Sequence, residues 1–158
     1  MSCPRPESFL VRLRPLLTAL TVTLALTITS TLVATAPAGA STTRATRMVA
    51  LINAERAGAG LAPLARAQDL SATARAHSRE MAAAQALFHR ASFASVCCWS
   101  AVAENVGTGF SVTSLHGMLM NSPSHRANIM NPAMTQVGIG YVRTGNRLWV
   151  TQVFRRPR

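Results

Sequence analysis

Three ionisable side chains stand where predicted elements stop: His89 at the end of a helix, Glu104 just ahead of a glycine turn, and His125 in the first turn of another helix. Two imidazoles and a carboxylate can make a zinc set that leaves one position open for water, with His89 and His125 as ligands and Glu104 polarising the bound water. The positive end of a helix disfavours a protonated imidazole, so His125 is expected in the neutral form that binds metal. The gaps are 15 and 21 residues. Only the fold can bring such groups together, and on spacing alone three separate polar residues are the favoured reading. Other chemistries find less support: there is no GxSxG nucleophile elbow and no HExxH zinc motif. His77 falls on the buried stripe of a helix with Glu80 one turn later, the placing of a satisfied core histidine. His116 has no nameable partner and is read as surface.

The elements that must position these groups follow from periodicity. Met48, Leu51 and Ile52 recur with helical spacing from Arg47 to Ala57, and Gly58 and Gly60 stop that helix. Asp69 is the expected N-cap of a second helix in which Leu70, Ala74, His77, Met81 and Phe88 share a face, with Phe88 and His89 ending it. Residues 90 to 100 are irregular, a linker of the kind that wraps a site or a core. Ala101 to Gly107 suits a strand ending in a glycine turn, and a third helix is expected from Thr113 to Met120. Ser122 then caps a fourth, with Pro123 at its first position. Val137, Ile139 and Tyr141 alternate with Gly138 and Gly140, a strand with one face open to close approach by another backbone. Arg147 to Phe154 is its antiparallel partner across Gly145-Asn146. Helices first and a hairpin last imply an α+β fold.

Composition narrows the class. The chain has 158 residues, 16 basic against 5 acidic, a formal charge of +11, and 49% apolar residues, so it is one globular domain and no disordered polycation. Every basic residue is arginine, a pattern of coding bias more than of phosphate recognition. Arg5, Arg12 and Arg14 precede an uncharged run from Leu16 to Ala36, followed by Ala38-Gly39-Ala40. Residues 1–40 are therefore read as a secretory signal cleaved after Ala40, leaving a domain over 41–158 and a secreted, extracellular protein, cell-wall associated through its charge. The rival is an uncleaved membrane anchor, weakened by seven threonines among the 21 uncharged residues. Cleavage removes three arginines and Glu7, leaving thirteen arginines against four acids, a formal +9. That field favours anionic partners such as envelope polymers or acidic lipid headgroups, or simply raises solubility. Scattered arginines without interleaved aromatics argue against nucleic acid. Cys97 and Cys98, being adjacent, form no disulfide framework, and their expected role is as two small hydrophobes beside Trp99, with a vicinal disulfide as the alternative.

Seven motifs in register resemble a bacterial CAP domain, the superfamily of cysteine-rich secretory proteins, antigen 5 and pathogenesis-related 1 proteins. They are Leu51-Ile52-Asn53-Ala54-Glu55-Arg56, Gly60-Leu61 with Pro63-Leu64, Ala74 with His77-Ser78 and Met81, Glu104-Asn105-Val106-Gly107 after His89, Asn121 to Ile129, Val137-Gly138 with Gly140, and Trp149 with Gln152 and Phe154. The resemblance spans about residues 45–155. It implies a three-layer α-β-α sandwich with a small antiparallel sheet and a shallow cleft built around two His and two Glu. Matching motif by motif places His89, Glu104 and His125 in that cleft, with Ser122 and Asn128 beside them. The second Glu has no counterpart: its place falls near Ser122, and the Trp usual in the preceding turn is Leu119.

Three functions fit. The first is a non-catalytic extracellular binding module whose cleft takes a divalent metal, a lipid-like molecule or an envelope polymer. The second is a zinc-dependent peptidase or esterase working through His89, His125 and Glu104. The third is a structural adhesion protein in which the same residues pin loops to the core and the basic surface does the binding.

Overall fold

The computed structural model describes residues 38–158, so the expected signal segment lies, up to residue 37, outside the described residues. Eight elements follow in order: α1 (Ala38–Gly58), β1 (Ala65–Arg66), α2 (Gln68–Ala84), β2 (Trp99–Gly109), α3 (Val112–Asn121), α4 (Pro123–Ile129), β3 (Gln136–Thr144) and β4 (Arg147–Pro157). The first helix starts nine residues ahead of its expected beginning and before the expected cleavage point. Ala45, one turn before Met48, extends the Met48–Ile52 stripe and is as buried as they are. Its end is a Schellman turn: Gly60 takes φ +69°, its amide donates to Ala57 O (3.0 Å) and the Leu61 amide reaches Arg56 O (2.9 Å).

The second helix corrects two expectations. Its N-cap is Ala67, which has no side chain to cap with, and Asp69 sits inside the first turn, where it pairs with Arg155 instead. The helix ends at Ala84 rather than running to Phe88, because Gln85 adopts the left-handed conformation (φ 51°) and the Ala86 amide turns back to Met81 O (3.2 Å). This is the same closure as at Gly60, made by a residue whose type gives no warning.

The sheet runs β1-β3-β4-β2. β3 and β4 form the expected antiparallel hairpin, with Gly145 at φ +58°, and β2 pairs antiparallel with β4 over its whole length. β1, unforeseen, adds two residues in parallel to β3. Val137, Ile139, Tyr141, Leu148, Val150 and Phe154 face α1 and α3 in the main core, whereas Val153 and Trp149 face α2. Gly138 and Gly140 lie directly under α2, as their alternation implied, and a Cβ on either would run into the helix backbone at Leu70–Ser71 or Ala74–Arg75. The result is three layers, with α2 on one side of the sheet and α1, α3 and α4 on the other.

Two further expectations are overturned. Cys97 and Cys98 are not buried hydrophobes: both are exposed, and a disulfide joins them. His116 is not on the surface. It is 5% exposed between α3 and α1, with neither ring nitrogen hydrogen-bonded and the Glu55 carboxylate 3.6 Å away. Burial lowers its pKa below the usual 6.5, against the opposing pull of Glu55. The unfolded chain then binds more protons than the folded one as pH drops below about 6.5, so stability present above that value is lost on acidification, down to the depressed folded pKa. Thermal unfolding should thus come at lower temperature at about pH 5 than at about pH 7.5, and His116→Leu should flatten the dependence. An unchanged pH slope in that variant would locate the effect elsewhere.

Candidate functional site

Glu104 lies on β2, on the face turned to α2, with its side chain 3% exposed. Its Oε1 accepts two hydrogen bonds, from His89 Nδ1 and from the Arg90 amide, both 3.0 Å long. Its Oε2 has no hydrogen-bond partner and lies 3.9 Å from His77 Nε2. The carboxylate therefore fixes the start of the loop between α2 and β2. It also sets the His89 tautomer: Nδ1 carries the proton given to Glu104, and Nε2 is left for the solvent, in a side chain 60% exposed.

His77 supports this arrangement from behind. Fully buried on α2, it has Nδ1 2.9 Å from Glu80 Oε2 and Nε2 2.8 Å from the Phe88 carbonyl, and its ring meets the Phe88 ring edge-on at 5.1 Å. It is a satisfied core histidine, and its partners hold the residue immediately before His89. Beside it, His77, Glu80, Phe88, His89, Arg90, Ala91 and Ser92 line a cavity of about 400 Å³. Glu104 and His125 are not among its walls, so the space opens on the α2 side of His89.

α4 carries the second half of the site. His125 is half-buried in its first turn, and its carbonyl accepts from Asn105 Nδ2 (3.0 Å). Its pKa is lowered, in the direction expected, but by burial first and then by electrostatic interaction with His89. His125 therefore lies within the electrostatic reach of His89. Asn128 Nδ2 donates to Asn105 Oδ1 (2.8 Å) and to the Glu104 carbonyl (3.3 Å), and Asn105 Nδ2 reaches Gln152 Oε1 (3.0 Å). Asn128, Asn105 and Gln152 therefore tie α4 to β2 and β4. Asn105 and Gln152 had no assigned role in the sequence reading. The usable signal was that Asn105 follows Glu104 in a strand and must face the other way, where only a polar partner satisfies it. Ser122 occupies the N-cap of α4 without a side-chain capping bond, contrary to expectation; its hydroxyl lies 3.4 Å from Ser124 Oγ and bonds to neither histidine.

Of the five expected cleft residues, His89 and Glu104 are in direct contact, Asn128 reaches the Glu104 backbone, His125 is linked through Asn105 and the field of His89, and Ser122 stands at the margin. Among the described residues no three His, Cys, Asp or Glu side chains are grouped as a metal ion requires. Glu104 Oε1 is bonded to His89 itself, and Oε2 is buried on the side of His77. The donor arrangement does not fit a three-ligand zinc centre.

The sequence model of CAP, the cysteine-rich secretory protein family, matches residues 49–154. Protein YkwD of Bacillus subtilis (strain 168) is 34% identical over 118 residues, which cover 67% of this chain but 45% of that protein. The chain thus spans less than half of this relative. An extracellular protein of Bacillus anthracis str. Ames containing an SCP domain superposes with TM-score 0.64 at 25% identity, over 73% of this chain and 41% of that one. An outer surface protein of Borrelia burgdorferi does so with TM-score 0.65 at 15% identity, over 72% and 92%, a likeness of fold alone.

Proposed function

The chain belongs to the CAP, or cysteine-rich secretory protein, family, and from that premise we propose that it is a non-catalytic binding module acting outside the cytoplasm, where its basic surface and cleft hold an anionic polymer or lipid headgroup of the cell envelope. The observation that carries this reading is the state of Glu104. Its Oε1 is committed to His89 and the Arg90 amide, and its Oε2, which no hydrogen bond engages, is buried 3.9 Å from His77 Nε2, so the carboxylate positions an imidazole and turns no oxygen to solvent to take a proton from attacking water. Thirteen arginines against four acids over the described residues supply the field that draws an anion. An extracellular site of action is supported by the signal-like run ahead of residue 40 and by the extracellular and outer-surface descriptions of two structural relatives. No helix among the described residues is long and apolar enough to cross a membrane.

Retention on purified cell wall or on vesicles with anionic headgroups should weaken steeply between about 50 and about 500 mM NaCl, as the Debye length shrinks to a few ångströms. Binding insensitive to salt, or equal on neutral vesicles, would overturn the charge-based reading. The zinc hydrolase is a second reading on one observation: His125 is held towards its neutral form by burial and by its electrostatic interaction with His89. Thermal unfolding with added zinc chloride separates the two. A zinc-dependent rise in the wild type that is lost in both His89→Ala and His125→Ala gives the hydrolase its ion, and no rise removes it.

A further inference from the structure

We propose that the Cys97–Cys98 disulfide is a thiol-reactive site, opened by low-molecular-weight monothiols in the folded protein, and that its state sets how firmly the second half of the α2–β2 loop is held to the end of β4. A bridge between adjacent residues encloses no length of chain. It therefore contributes almost none of the loop-closure stabilisation that a disulfide between distant residues supplies. Its place in the sequence is not explained by stapling the fold, and its surroundings suit reaction instead. Both cysteines are exposed, between buried Val96 and half-buried Trp99, so an attacking thiolate meets no barrier of packed side chains. No third cysteine stands among the described residues, so within this region exchange can only open or re-form the same pair.

The chemistry balances with two equivalents of monothiol. A thiolate attacks one sulfur, a new S–S bond to it forms, the Cys97–Cys98 bond breaks, and its electron pair leaves as thiolate on the other cysteine. A second thiol attacks the mixed disulfide and releases the oxidised small-molecule disulfide, so that two monothiols are oxidised and the pair is reduced to two thiols.

The backbone supplies the coupling. Cys98 holds φ +60°, the left-handed region that a residue with a Cβ seldom adopts, and opening the ring removes the tie that keeps it there. The two carbonyls of the pair anchor the loop: Cys97 O accepts from Arg155 Nη1 (3.2 Å) and Cys98 O from the Arg158 amide (2.9 Å), with Arg158 Nε on Trp99 O (2.9 Å). Arg155 also holds Asp69 at the start of α2 and Gln136 on β3. The first half of the loop is fixed separately, by Glu104 at His89 and Arg90. Reduction should therefore loosen residues 91–98 while leaving His89 in place.

The test uses the full chain carrying Cys3→Ser, incubated with glutathione or free cysteine under native conditions, then alkylated and mapped by peptide mass, with amide hydrogen exchange in parallel. The expected result is alkylation of both Cys97 and Cys98 only after thiol treatment, with far-UV circular dichroism unchanged and exchange faster at residues 91–98 and at Arg158. The double variant Cys97→Ser/Cys98→Ser should reproduce that exchange pattern without any thiol. A bridge that opens only once the protein is denatured, or thiols that alkylate before treatment, overturns the reactive site. Exchange in the double variant matching that of the oxidised protein overturns the coupling to the loop.

Discussion

Arg56→Ala should cost the fold about 3–5 kcal/mol, because it opens a cavity and leaves buried carbonyls unpaired at about 1–3 kcal/mol for each that water cannot reach. Arg56 is 1% exposed at the end of α1, and among the described residues its guanidinium meets no carboxylate; it donates to four backbone carbonyls. Nε reaches Ala62 O (2.8 Å), Nη1 reaches Ile129 O (2.8 Å) and Asn131 O (2.9 Å), and Nη2 reaches Met134 O (3.3 Å). Burial lowers its pKa, but a guanidinium stays charged at any pH the protein meets, so the carbonyl dipoles must offset its lost hydration. One of them, Ile129 O, belongs to the last turn of α4, the negative end of the helix that carries His125 and Asn128. Truncation leaves carbonyls unpaired in the core and unpins α4 from α1. Arg56→Lys keeps the charge but not the planar fork, and should recover less than half of the loss. Denaturant unfolding measures both; an Arg56→Ala variant within about 1 kcal/mol of wild type would mean that water satisfies those carbonyls equally well.

Gly138→Ala and Gly140→Ala should each destabilise by about 3 kcal/mol, the upper end of the range for overpacking, because the obstacle is helix backbone and not the tip of a flexible side chain. For either methyl group to fit, α2 must lift off β3, and His77 and the Phe88 carbonyl it holds must move with it. The histidine pair should therefore be disturbed as well as the fold, which the pH titration of His125 read by NMR can follow. Gly117→Ala on α3 is the internal control. Nothing lies within 4 Å of its added Cβ, and replacing a helical glycine should stabilise by about 0.5–1 kcal/mol. If all three substitutions behaved alike, the close approach of α2 to the sheet would be wrong.

What local sequence determined here is whatever depends on neighbours within a few residues. The alternation from Val137 to Tyr141 and the Gly145-Asn146 turn specify the β3–β4 hairpin, because strand pleat and turn φ are both local. Gly60 after α1, the buried stripe of α2 and Pro123 at the start of α4 act over one or two turns of helix in the same way. The α+β class and the CAP resemblance follow from these elements in order.

Tertiary structure decided the rest, because each remaining feature is set by a partner far along the chain. Whether His116 is buried depends on α1 covering that side of α3, 61 residues back at Glu55. Arg56 reads as one more surface arginine until carbonyls up to 78 residues away close around it. Asp69 has the type of an N-cap, yet a guanidinium 86 residues on claims its carboxylate. Even the end of α2 was hidden, since Gln85 enters a conformation that its side chain does not favour in isolation. The same holds at the site. His89, Glu104 and His125 were identifiable as chemically able residues, but that Glu104 gives one carboxylate oxygen to His89 and the Arg90 amide and buries the other is a fact of geometry across 15 residues, and residue types alone carry no information about it.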